Sequence, residues 1–281
     1  MTRKGPTLPF TIDWEDWFQL CCPPFDDPGA LGRFEDRLER ATEATLAFCE
    51  ERGARATWFC LADQARRHPH LLRRIVGAGH TIGLHGLTHR RAFEMEAATW
   101  RASLAEARKV LEDLSGSALR SYRAPEWSLR GEAEGWWRHL PELGFDLDSS
   151  RAPLKVLGDP HWPRTVHRLG AGLLEFPPPV AGPPWLAVPL WGWALRLLPE
   201  SWMRARLQGL AASGAGTPVV LHPWELDPGQ PPLPSGTPLG HRFAHAAGLR
   251  SYGLRLTEIL SGLNLVPLES WGGEGHGVSE L

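Results

Sequence analysis

The chain has 281 residues, enough for one large domain with its own core. Hydrophobic residues make up 42% and charged residues 22%, which excludes a disordered or low-complexity chain. The formal net charge of −2, with no basic run, excludes an electrostatic nucleic-acid binder, so no nucleic-acid partner is expected.

The first half alternates strand and helix signals. LPFTID (8–13) is a short apolar run that ends in an acid. Residues 34–52 place Phe34, Leu38, Leu46 and Cys49 near one helical face, and Gly53 follows as a stop. ARATWFCL (54–61) is β-branched and aromatic, as a buried strand would be. The pattern then predicts a helix over 63–78, a strand at HTIGL (80–84), an amphipathic helix over 94–114 and a strand at LRSYRAP (119–125). A helix over 131–143, the segment FDLDSS (145–150), the strand in TPVVLHPWE (217–225), a helix over 243–262 and a last strand at 264–269 follow.

Strand–helix alternation implies parallel strands joined by crossover helices, an α/β barrel in which functional groups gather at the carboxyl ends of the strands. Those ends carry Asp13, His85, Arg123, Asp148 and His222, all polar and chemically competent. One catalytic domain over 1–270 is expected. Residues 176–203 form a Pro- and Trp-rich insertion read as a loop packed on the core, and 271–281 a disordered tail. Cys21, Cys22, Cys49 and Cys60 contain no CxxC pair, so reduced structural thiols are expected.

HGLTH (85–89) sets two histidines four apart, a spacing that can hold a metal. It follows a strand and contains Gly, so a tight turn is expected rather than a helix. TIDWEDWF (11–18) crowds Asp13, Glu15 and Asp16 at the end of the first strand, where carboxylates repel one another unless a cation or an arginine sits among them. Taken singly, each residue has a plainer explanation: Arg123 as a surface ion pair, Asp148 as a helix cap, His222 as a core histidine.

Together, TIDWEDWF, HGLTH, YRAPEW, LDSS and LHPWELDPGQP, in that order, resemble the polysaccharide deacetylases of carbohydrate esterase family 4. They are most similar to the branch found in exosortase-associated exopolysaccharide gene clusters. The resemblance implies a distorted (β/α) barrel of about seven strands and a metal-dependent N-deacetylase. It implies that Asp13 is the catalytic base, Arg123 its holder, His222 the general acid and Asp148 the support of His222. His85 and His89 would be metal ligands, with either Glu15 or Asp16 as the acidic third, because Trp14 occupies the position directly after the base. One divalent ion is implied, zinc by default, with cobalt or nickel fitting the same ligands. Trp127, Trp224 and Trp185 are candidates for a sugar-stacking wall.

The implied partner is an acetylated amino-sugar polysaccharide or a lipid-linked oligosaccharide; the oligomeric state is left open. An allantoinase-like cyclic amide hydrolase and a catalytically silent polysaccharide-binding component are the alternatives. Lacking an export signal or a spanning stretch, the chain is expected in the cytoplasm, with peripheral membrane contact allowed.

Overall fold

The computed structural model describes residues 5–25 and 32–271. In chain order the elements are β1 (Thr7–Trp14), α1 (Leu38–Glu51), β2 (Thr57–Leu61), α2 (Ala62–Arg67), α3 (Pro69–Gly77), β3 (Thr81–Gly86), α4 (Ala97–Ser115), β4 (Ser121–Tyr122) and β5 (Leu147–Asp148). The second half adds β6 (His167–Arg168), β7 (Leu174–Glu175), β8 (Val180–Ala181), β9 (Val188–Pro189), α5 (Trp193–Leu197), α6 (Glu200–Ala212), β10 (Val219–Leu221), α7 (Leu239–Ala246), α8 (Tyr252–Ile259) and β11 (Asn264–Val266).

The main sheet runs β10-β1-β2-β3-β4-β5-β7-β6, and β11 also pairs with β1. Seven strands, β10 through β7, are mutually parallel; β6 is antiparallel to β7, and β11 is parallel to the start of β1. The expected barrel of about seven strands is thus a curled half-barrel of nine. β1 pairs with β2 on one side and with β10 and β11 on the other, and its residues Leu8–Trp14 are all buried, as a parallel strand covered on both faces must be. α1 lays Leu38, Ala41, Leu46, Phe48 and Cys49 onto the core.

Several elements differ from their sequence patterns. The helix expected over 63–78 is two helices, because Pro69 opens a new one after His68. The span read as a helix from 131 is a 3-10 helix over Gly131–His139, with two glycines weakening the α form. The helix expected over 243–262 breaks at Gly248, whose φ of 76° lies in the left-handed region. The stretch 176–203 is more than a loop: it holds the β8–β9 hairpin, α5 and the start of α6. Leu190, Trp191, Ala194 and Leu195 are buried, in line with packing on the core. The expected tail lies, apart from Trp271, outside the described residues.

Candidate active site

Strand alternation sorts the acids of the first motif. Trp14 points away from the half-barrel interior, where its indole donates to Thr42 Oγ1 of α1 at 2.8 Å. Asp13 and Glu15 fall on the other side. Arg123, immediately after β4, donates from Nη1 to Asp13 Oδ1 at 2.5 Å, and both side chains are buried. The guanidinium also donates to Ser149 Oγ at 2.8 Å and lies over the Phe59 ring at 4.4 Å. Ser149 Oγ donates onward to the Phe176 carbonyl, and Ser150 Oγ accepts from the Ala124 N–H. The LDSS segment therefore fastens the end of β4 and fixes the arginine.

Glu15 Oε1 lies 2.7 Å from His85 Nε2 and 2.9 Å from His89 Nε2. His85 Nδ1 faces the Arg123 carbonyl at 2.8 Å and can only donate there, so neutral His85 presents an Nε2 lone pair to a carboxylate oxygen. Two acceptors at that distance need a proton or a cation between them. The donor set of two imidazoles and one carboxylate, with one ring fixed by a backbone carbonyl, fits a catalytic zinc-type ion. Gly86, at φ 118°, makes the turn between the histidines; a Cβ there would meet the Thr88 carbonyl at 3.0 Å. Burial opposes charge on this group, yet His89 and His85 hold the Glu15 carboxyl well below the ordinary carboxylate range, and Glu15 in turn raises His89.

Of the two acids left open, Glu15 is the one the fold brings to the histidines. Asp16 turns away: its carboxylate accepts the Trp17 and Arg37 N–H groups, each at 2.8 Å, and burial pushes its pKa up to about 7.

His222 stands immediately after β10, with Nε2 3.8 Å from Asp13 Oδ2. Its support corrects the sequence reading, which gave that role to Asp148. The carboxylate at His222 Nδ1 is that of Glu225, 3.3 Å away, and the same oxygen accepts the His222 N–H at 3.1 Å. Burial disfavours the imidazolium, but Glu225, Glu15 and Asp13 lift its pKa to about 9. Asp148 spends Oδ1 on the Ser150 hydroxyl at 2.5 Å and shares its surroundings with buried Glu175. Burial raises both acids, Asp148 to about 6 and Glu175 well above the ordinary value of a glutamate.

Of the three tryptophans expected in a sugar wall, two are buried and one is exposed. Trp224 is buried and stacked on His245, at 4.5 Å and 12°, beneath His222. Trp127 is buried against Trp191, at 5.0 Å. Trp185 lies in the loop of the β8–β9 hairpin and is 82% exposed. Glu126 and Trp127 both have φ near 50°, a strained pair directly after RAP. The Glu126 carboxylate accepts from the Cys21 N–H at 3.2 Å and from Arg91 Nε at 2.8 Å. The Cys21 sulfur lies 3.3 Å from His89 Nδ1. Sequence reasoning missed Glu175 and Arg196; it reads Cys21 as a structural thiol and Glu225, three residues after His222, as fixing the loop there.

Fold and side chains together define an α/β half-barrel with a polar, metal-competent centre at the carboxyl ends of its strands. Residues 25–137 match the family model for polysaccharide deacetylase, and residues 149–271 match a domain of unknown function (DUF3473). A peptidoglycan-N-acetylglucosamine deacetylase of Bacillus cereus is 26% identical over 114 residues, 41% of this chain and 42% of that protein. The chain spans less than half the length of the curated relatives it matches. A crystal structure of a proposed polysaccharide deacetylase from Mycobacterium smegmatis superposes with a TM-score of 0.59 at 20% identity, over 96% of this chain and 90% of that one. Puue allantoinase superposes with a TM-score of 0.61 at 15% identity, over 99% and 94%. At such identities both likenesses speak for the fold alone. Over residues 25–137 the chain is therefore similar to polysaccharide deacetylases.

Proposed function

We propose that this chain is a metal-dependent hydrolase that removes N-acetyl groups from an acetylated amino-sugar polysaccharide or oligosaccharide. The observation that carries the reading is the pairing of an arginine-held Asp13 with His222, 3.8 Å apart, beside the Glu15–His85–His89 group. That gives a base, an acid and a metal-competent donor set within one centre. Relatives named as N-acetylglucosamine deacetylases lend the substrate class.

Glu15, His85 and His89 would hold the ion, zinc by default and cobalt or nickel as alternatives. Once bound, the ion would supply Lewis-acid polarisation of the acetamide and a lowered pKa for the attacking water. Asp13 takes the proton of that water. Arg123 holds the Asp13 carboxylate in place through a direct hydrogen bond. His222, charged near neutral pH, delivers a proton to the leaving nitrogen, so the C–N bond breaks to acetate and a free sugar amine. Glu225 orients the ring that does so.

The five motifs also support a place in exopolysaccharide biosynthesis, on a nascent or lipid-linked saccharide. Cys21, Cys49 and Cys60 are thiols outside any disulfide, which suits the cytoplasmic side of a membrane. Acetate release tests the reading, with zinc-loaded protein given N-acetylglucosamine oligomers and, in parallel, allantoin. Acetate from the oligomers supports it. Turnover of allantoin alone would transfer the chain to the cyclic amide hydrolases, and tight sugar binding without acetate would make it a binding component.

A further inference from the structure

We infer that Arg196 is a positioning residue for His222, acting through Glu225: helix α5, within the Pro- and Trp-rich stretch, would supply the cation that fixes the general acid. The inference rests on the deacetylase reading for its catalytic consequence and on geometry alone for its structural one.

Arg196 and Glu225 are both buried, and Arg196 Nε lies 3.5 Å from Glu225 Oε1. The other Glu225 oxygen is the one that accepts the His222 N–H and faces His222 Nδ1. The carboxylate is therefore divided, one oxygen to the arginine and one to the histidine. At 3.5 Å the arginine contact is an ion pair without a hydrogen bond, and neither Arg196 Nε nor Glu225 Oε1 has a hydrogen-bond partner of its own, so each is the other's nearest charge compensation. Arg196 is itself fixed. Its Nη1 donates to the His245 carbonyl at 2.9 Å, its Nη2 to the Ala244 carbonyl, and the guanidinium lies over Trp224 at 5.4 Å. The chain passes tightly here: a Cβ on Gly248 would meet Arg196 Cβ at 2.8 Å and its carbonyl at 2.9 Å. A clamp that only joined α5 to α7 would need the two carbonyls and no charge. A carboxylate aimed at the back of the general acid is what gives this arginine a role in the reaction.

The sequence hid the link, since 29 residues separate Arg196 from Glu225 and α5 has only five residues. The arrangement also explains how His222 is supported without Asp148, whose Oδ1 is spent on Ser150.

The test uses full-length zinc-loaded protein with Arg196→Met, and with Arg196→Gln, which keeps a donor for a carbonyl but removes the charge. Two readouts are taken: kcat and KM for acetate release, and the ring-nitrogen NMR signal of His222, assigned by its loss in His222→Gln. Both variants should shift the His222 Nδ1 signal and lower kcat about tenfold with KM within about twofold, as outer-shell partners of a reactive group generally do. Arg196→Lys should recover part of the loss, and Asp148→Asn should leave the His222 signal in place. A folded Arg196→Gln with unchanged signal and kcat would overturn the inference, whether or not Arg196→Met folds. If wild type releases no acetate, the deacetylase reading fails by itself, and the NMR signal still decides whether Arg196 positions His222.

Discussion

Arg123 meets Asp13 at 2.5 Å, and neither side chain reaches solvent. A buried pair of this kind owes its place to geometry, because removing one partner strands the other's charge. Arg123→Met should destabilise the fold by about 3–5 kcal/mol. Acetate release should fall further than stability alone explains, since Asp13 loses both its charge partner and its direction. Arg123→Lys keeps the charge but not the contact to Ser149. It should fold nearly normally while remaining impaired. Denaturant unfolding beside kinetics separates the two effects.

Metal affinity distinguishes the acids of the first motif. His85→Ala and His89→Ala should each weaken zinc binding by more than about 100-fold, beyond the loss typical of outer-shell changes. Glu15→Gln should do the same. Asp16→Asn should leave affinity unchanged, because that carboxylate is committed to the Trp17 and Arg37 N–H groups. Competition against a chromophoric chelator measures all four.

Much of this site is legible in the sequence where one strand end carries one residue. β1, β3 and β10 are strongly patterned, so the sequence alone places Asp13, His85 and His222 at their carboxyl ends. Period-two alternation even favours Glu15 over Asp16, although Trp14 obscures it until its indole is found on Thr42. The support of His222 is another matter. Glu225 sits in a short turn that reads as loop punctuation, and Arg196 in a stretch that reads as apolar packing. Asp148 is matched to the wrong partner in the sequence because Glu175, its neighbour, ends a strand of two residues with no periodic signal. The tryptophans are hard to place for a similar reason: composition shows their abundance and says nothing of which faces remain free.

The Asp148–Glu175 pair makes stability depend on pH in a particular direction. Glu175 has its carboxyl raised in the fold, first by burial and then by Asp148. The folded state thus keeps a proton that the unfolded chain releases near the ordinary value of about 4.3. Stability from that proton is present at low pH and declines as pH rises above the unfolded value. Glu175→Gln removes the titration while keeping an acceptor for the Arg151 N–H. Melting temperature should match wild type at about pH 4 and exceed it at about pH 8.

His222 is raised as well, but here the fold favours a charge rather than suppressing one. Its pKa lies at about 9 despite burial, chiefly through Glu225. Stabilisation from the charged ring is complete below the ordinary value of about 6.5 and is lost as pH rises through the folded value. The alkaline limb of kcat/KM should accordingly fall near pH 9. Glu225→Gln should move that limb down by at least about one unit, toward the ordinary histidine value. A pH–rate profile with each protein reads it directly.

The most direct test is acetate release from N-acetylglucosamine oligomers by zinc-loaded wild type beside Asp13→Asn, each with its metal content measured. The expected result is release by wild type and loss of nearly all of it in Asp13→Asn, with one metal per chain in both. Equal release by the two would contradict Asp13 as the base, and a wild type that binds no metal would contradict the Glu15–His85–His89 centre.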